Sequence, residues 1–161
     1  MRGLSRTRSA IAAIFVAVVF TLVGASAASA VVPGGVFASG CVSNAVATGC
    51  TNIGSVAFPG NPVDVAVSPD NANVYVTTSG NGLMVFARGA NGQLTGVQCL
   101  RATAGAGCGT LAGAAGLSGP GAIAISPDGA SVYVANSTGN RVLAFDRVGG
   151  GALALKAGSA A

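Results

Sequence analysis

The chain has 161 residues, with eight basic side chains, four acidic ones, no histidine and glycine at 26 positions. Arg2, Arg6 and Arg8 crowd the amino terminus, so beyond residue 30 five cations face four anions, a net +1. That balance, with few aromatic residues, excludes a nucleic-acid footprint, which needs a clustered basic face. The absence of His and Glu excludes a Ser-His-Asp relay and a His-ligated zinc site within this chain. Helix formers such as Glu, Lys and Gln are scarce, which favours turns and short strands.

In chain order, the first predicted element is a targeting segment. MRGLSRTRS is basic, AIAAIFVAVVFTLVGA is apolar, and SAASA ends it with small residues at Ala28 and Ala30. This three-part pattern predicts a secretory signal peptide over residues 1–30, cleaved after Ala30. The apolar run of about 16 residues is short for a membrane span, which needs roughly 20. An uncleaved anchor is the rival reading. After cleavage no stable membrane span is expected, and the chain is predicted to be secreted or otherwise extracytoplasmic.

Residues 31–60 are expected to hold a leading outer strand near 34–37 and a loop flanked by Cys41 and Cys50. From Asn61 an internal repeat begins. NPVDVAVSPDNANVYVTTSGNGLMVFARGANGQL is matched by GPGAIAISPDGASVYVANSTGNRVLAFDRVGGGAL, which starts at Gly119. Pro62 and Pro120, Asp70 and Asp128, and Tyr75 and Tyr133 are each 58 residues apart, as are Cys41 and Cys99, and Cys50 and Cys108. Phe86 and Phe145 are 59 apart, like Arg88 and Arg147, so one residue is inserted near Gly139.

Each unit reads as four short strands. Val63, Val65 and Val67 alternate with Asp64 and Ala66, the period of a strand. Ser68-Pro69-Asp70 is a turn, because Pro presets φ and Asp bonds its own backbone. Strands are predicted near 74–78, 83–88 and 93–98, joined by Gly-Asn hairpin turns, and in the second unit near 122–126, 131–136, 141–146 and 152–156. A repeated four-stranded antiparallel unit is the blade of a β-propeller. The predicted class is all-β, with about two blades of an incomplete ring: 61–118, carrying its own cysteine loop, and 119–161.

Tyr75-Val76-Thr77 and Tyr133-Val134-Ala135-Asn136, each preceded by Ser-Pro-Asp, resemble the YVTN-type β-propeller repeat, which shades into the lactonase-like seven-bladed propellers. The resemblance covers about 61–156. Thr78 and Ala135 depart from the motif. It implies a propeller fold. In lactonase-like enzymes of the group, acid–base work falls on His, Glu and Arg around a central channel. With no His or Glu here, no catalytic residue carries across.

A closed propeller has about four to eight blades, and residues 31–161 supply little more than two. Three accounts stand: a truncated piece of a longer propeller, self-association to close a ring (three chains giving about six blades), or an open array with exposed edges. In an exported chain the four cysteines suggest two local disulfides, Cys41–Cys50 and Cys99–Cys108. A four-cysteine zinc site is the alternative, though eight intervening residues is wide for it. Asp70 and Asp128 read as turn caps, and Arg88 and Arg147 as solvated blade edges. Asp64 occupies a position that could face a channel, but its counterpart is Ala122. Gly105-Ala106-Gly107 lacks the lysine and the strand–helix setting of a phosphate loop.

No catalytic, cofactor-binding or metal residue is assigned. The expected function is a binding or interaction scaffold for a protein or small-molecule ligand that the sequence does not name. The alternatives are a lactonase-like hydrolase whose catalytic residues lie in missing blades, and a structural repeat of a surface or adhesive array.

Overall fold

A computed structural model of the protein describes residues 41–44, 50–53, 58–103, 105, 107–111 and 116–158. All of them belong to the compact unit Phe37–Ala161. The expected signal segment and the strand expected near 34–37 lie outside the described residues.

The fold is all-β. The first blade is a meander of β3 (Pro62–Val67), β4 (Asn73–Thr78), β5 (Gly82–Arg88) and β6 (Leu94–Arg101). The second is β8 (Pro120–Ile125), β9 (Ser131–Asn136), β10 (Arg141–Arg147) and β11 (Leu153–Leu155). Within each blade sequence neighbours are sheet neighbours, all antiparallel. The innermost strands carry a bulge at the same place, after Pro62 in β3 and after Pro120 in β8.

The Ser-Pro-Asp turns are superimposable in their bonding. Ser68 N donates to Asn73 O and Asn71 N to Ser68 O; Ser126 N donates to Ser131 O and Gly129 N to Ser126 O. The residue after the Asp has a positive φ, 59° at Asn71 and 70° at Gly129. Asn and Gly are the residues that tolerate that conformation best.

The cysteine loops add strands that the meander pattern did not predict. β1 (Cys41–Ser43) pairs in parallel with β2 (Cys50–Asn52), and β6 pairs in parallel with β7 (Gly109–Thr110). Each loop is closed by its own disulfide, Cys41–Cys50 and Cys99–Cys108, with Cα atoms 4.5 Å apart in both. Ile53 N donates to Ser43 O as Leu111 N donates to Arg101 O, so the two loops are one motif repeated.

Two apolar cores follow. Tyr75, Leu83 and Val85 on one face of the first blade meet Val132, Val134, Leu143 and Phe145 of the second, forming the seam. On the other face of the first blade Val74, Val76, Met84 and Phe86 pack with Cys99 and Cys108, under Val42, Ile53 and Phe58. β4 is therefore buried at every residue, whereas its repeat β9 is buried only at alternate ones. The same sequence pattern is covered on two faces in one blade and on one face in the other.

Candidate functional site

Charged and polar groups converge on the seam, where β10 ends and the glycine-rich turn 149–151 begins. Arg147 Nη2 donates to Asp70 Oδ2 at 2.6 Å and to Asn73 Oδ1 at 2.7 Å. Its Nε donates to the Tyr75 hydroxyl at 3.0 Å. Tyr75 in turn donates to Gly151 O at 2.8 Å, and Asn73 Nδ2 donates to Gly150 O at 3.0 Å. One guanidinium of the second blade thus grips the turn and the second strand of the first. Gly151 is required here. Its φ is +84°, and a Cβ would fall 2.1 Å from Asn73 Cγ.

The electrostatics follow from these contacts. Asp70 accepts from Ser68 Oγ, from Arg147 and from Ala72 N, and its carboxyl is lowered from an ordinary 3.8 to about 2. Burial pushes the Tyr75 phenol up, against the pull of Arg147. Burial also opposes the charge on Arg147, but the bonds to Asp70 and Tyr75 outweigh it and the guanidinium is held more firmly charged. Asp128 is lowered by Ser126 and by Ala130 N, without an arginine.

Four further side chains of the first blade tie to the backbone of the second. Asp64 Oδ2 accepts from Ile123 N at 2.9 Å, while its Oδ1 accepts from Val65 N at 2.9 Å. Thr77 Oγ1 donates to Gly121 O at 2.7 Å, and Asn81 Oδ1 accepts from Gly119 N at 2.8 Å. Gln98 bonds Leu153 twice, accepting from its N at 2.8 Å and donating to its O at 3.3 Å, as a strand neighbour would.

Beside the clasp lies an open groove of about 500 Å³, lined by Ala72, Asn73, Ala87, Arg147, Val148, Gly150 and Gly151. Arg147 is the one charged side chain among those residues, and three of its five N–H donors already go to Asp70, Asn73 and Tyr75. With Nη2 and Nε so engaged, the charge of Arg147 is already countered by Asp70, and the neutral, raised Tyr75 phenol is a poor base. Among the described lining residues no nucleophile is paired with a base. The hydrogen bonds gathered beside the groove join one blade to the next.

The sequence-derived candidates separate accordingly. Asp70 does cap its turn, and it also binds Arg147. Arg147 holds an anion rather than merely solvating an edge, because Asp70 of the neighbouring blade stands within reach. Asp64 points into the seam and not into a channel, since its carboxylate is drawn to the free Ile123 N–H. Arg88 is exposed and has no ion-pair partner among the described residues. All four cysteines are engaged in the bridges, which leaves no thiolate for zinc. Asn73, Asn81 and Gln98 escaped sequence reasoning. The signal that could have found the clasp was the recurrence of both an Asp and an Arg in each repeat, 58 and 59 residues apart.

Against known proteins, no family model and no curated protein matches the chain. Among solved structures it is similar to a periplasmic gluconolactonase from Pseudomonas aeruginosa, at 28% identity and a TM-score of 0.45, over 60% of this chain and 26% of that one. A functionally unknown protein from Desulfotomaculum acetoxidans gives 22% identity and a TM-score of 0.43, over 62% and 27%. A Bacteroides uniformis protein provisionally named a 6-phosphogluconolactonase gives 23% and 0.46, over 60% and 26%. The chain spans about a quarter of the length of each. The blade architecture rests on the strand order and the seam themselves.

Proposed function

We propose that the chain is an exported propeller-repeat protein of the YVTN type that acts as an interaction scaffold. Residues 1–30 would direct export as a cleaved signal peptide, and 31–161 would form the repeat region. Two oxidised cysteine loops support an oxidising compartment, because cytosolic thiols stay reduced. The observation that carries the scaffold reading is the Arg147 clasp. Arg147, Asp70, Tyr75 and Asp64, the ionisable groups gathered at the seam, are engaged in joining one blade to the next.

The test is hydrolysis of sugar lactones by the protein purified from an exporting host. The expected result is release of acid no faster than in buffer. Saturable turnover that is lost on denaturation would overturn the scaffold reading in favour of a lactonase-like hydrolase.

A further inference from the structure

The two blades carry most of the same clasp parts, with Ser131 standing where Asn73 stands, but among the described residues only one set is used. Arg88 ends β5 as Arg147 ends β10, each opposite a leucine of the next strand, Leu94 and Leu153. Ser126 and Asp128 form the same hydrogen-bonded turn as Ser68 and Asp70. Tyr75 is fully buried, while Tyr133, at the equivalent place in β9, is 40% exposed. Along β4 both faces are covered; along β9 Tyr133 and Ala135 face solvent, with Val142 beside them on β10. One flank of the molecule therefore shows Arg88, without an ion-pair partner among the described residues, and the opposite flank shows Asp128 and Tyr133, the groups that an arginine of this kind grips.

The Arg88 flank is already partly built as a seam. Val42 and Ile53 cover the outer part of the first blade from the places that Leu100 and Leu111 hold in the internal seam. Its inner part is bare: Val63, Val65 and Val67 of β3 are 52%, 60% and 48% exposed. What would cover those valines is the inner strands of a blade, and the second blade has such strands with a free face.

The backbone is compatible too. In the internal seam Ile123 N needs Asp64 of the preceding blade. Val65 N, its equivalent, is satisfied by Asp64 of its own strand. Docking against Ala122, which has no carboxylate, thus leaves no orphan donor there.

We propose that the occupant of both flanks is a second copy of this chain, joined head to tail, with Arg88 of one copy clasping Asp128 and Tyr133 of the next. This rests on the scaffold reading and names its partner. Ala122 and Ala135 stand where Asp64 and Thr77 stand in the internal seam, so the joint between copies has fewer polar ties and is reversible. Head-to-tail contacts of this kind close into a ring when the rotation divides the circle.

Sedimentation velocity over a wide concentration range tests it, on the full chain purified from an exporting host. The sedimentation coefficient of the wild type rises with concentration. Arg88→Asp or Asp128→Arg alone raises the concentration needed for association by about tenfold or more, the scale of a lost complementary charge pair. Both substitutions in one chain restore the pair in reverse and return association to near the wild-type range. Arg88 is exposed and caps nothing, so dilute Arg88→Asp shares the wild-type melting curve, which separates lost docking from lost folding; Asp128 also caps its turn, so both proteins carrying Asp128→Arg are compared with each other in dilute melts. A wild type that stays monomeric throughout overturns the proposal, whether residues 1–40 or a different protein cover the flanks. Single variants that associate like the wild type overturn it as well, as does a double variant no better than the singles. Lactone turnover would sink the scaffold reading independently of any of these results.

Discussion

Arg147 and Asp70 are 77 positions apart in the chain and 2.6 Å apart in space, one at the end of a third strand, the other in the first turn of the neighbouring blade. The Arg147 side chain is 16% exposed and that of Asp70 50% exposed, so the arginine carries more of the joint. Arg147→Met is expected to cost about 2–3 kcal/mol, since it strips charge-assisted bonds from Asp70, Asn73 and Tyr75 together. Asp70→Asn should cost less, because half-exposed pairs are screened. Combining the two should lower Tm little beyond Arg147→Met alone, as expected for coupled neighbours. Denaturant melts of the four proteins check the order.

The two tyrosines give a control within one molecule. Tyr75→Phe removes a buried hydroxyl that donates to Gly151 O and accepts from Arg147, and is expected to cost about 1–2 kcal/mol. Tyr133→Phe, at the same place on an open face, should change the stability of the dilute monomer by less than about 0.5 kcal/mol. Equal costs at both positions would mean that the seam around Tyr75 is not packed as described.

Much of this architecture was legible because the chain repeats itself. The period of 58 exposed the blades, the turns and the cysteine pairs, and the alternation of Val63, Val65 and Val67 marked an innermost strand. What stayed hidden was pairing between repeats. Asp70 reads as a turn cap because its local bonds suffice to explain it, and only the meeting of two sheets brings Arg147 to it. Gln98 looks like any polar strand residue until β11 lies beside it. β7 escaped for a different reason: Gly109–Thr110 is too short to show a period and is held against β6 by the disulfide loop.

The disulfides should differ in worth although their loops are of equal length. A ten-residue loop predicts about 2.5–3 kcal/mol from chain entropy alone. Cys99 and Cys108 are also buried in the core with Met84 and Phe86, whereas Cys41 and Cys50 lie outside it. Replacing Cys99 and Cys108 by serine therefore adds buried hydroxyls to the lost bridge and should lower Tm more than the same change at Cys41 and Cys50. Thermal melts of the two double variants decide this, and the reverse order would contradict it.

Acid should loosen the seam in a defined window. The folded protein holds the Asp70 carboxyl at about 2, against an ordinary 3.8, so it binds that proton less tightly than the unfolded chain does. The stabilisation is complete above 3.8 and is lost as the pH falls towards 2. Asp128 is lowered as well, and adds to the loss on the same acid side. Wild-type Tm should fall through this window, and the fall should be shallower in Asp70→Asn. An identical acid profile in the variant would remove Asp70 from the joint.

The clasp between blades is tested most directly by following the side-chain carboxyl resonances of Asp70 and Asp128 by nuclear magnetic resonance during an acid titration. The background should be Arg88→Ala, so that no second copy can reach Asp128. Both aspartates accept from a serine hydroxyl and a backbone N–H two residues on, and only Asp70 also meets an arginine. The account predicts that Asp70 titrates at about 2, below Asp128, and that Arg147→Met raises Asp70 towards its ordinary value while leaving Asp128 where it is. Indistinguishable titrations with Arg147 in place would contradict it, because Arg147 would then not be holding the neighbouring blade.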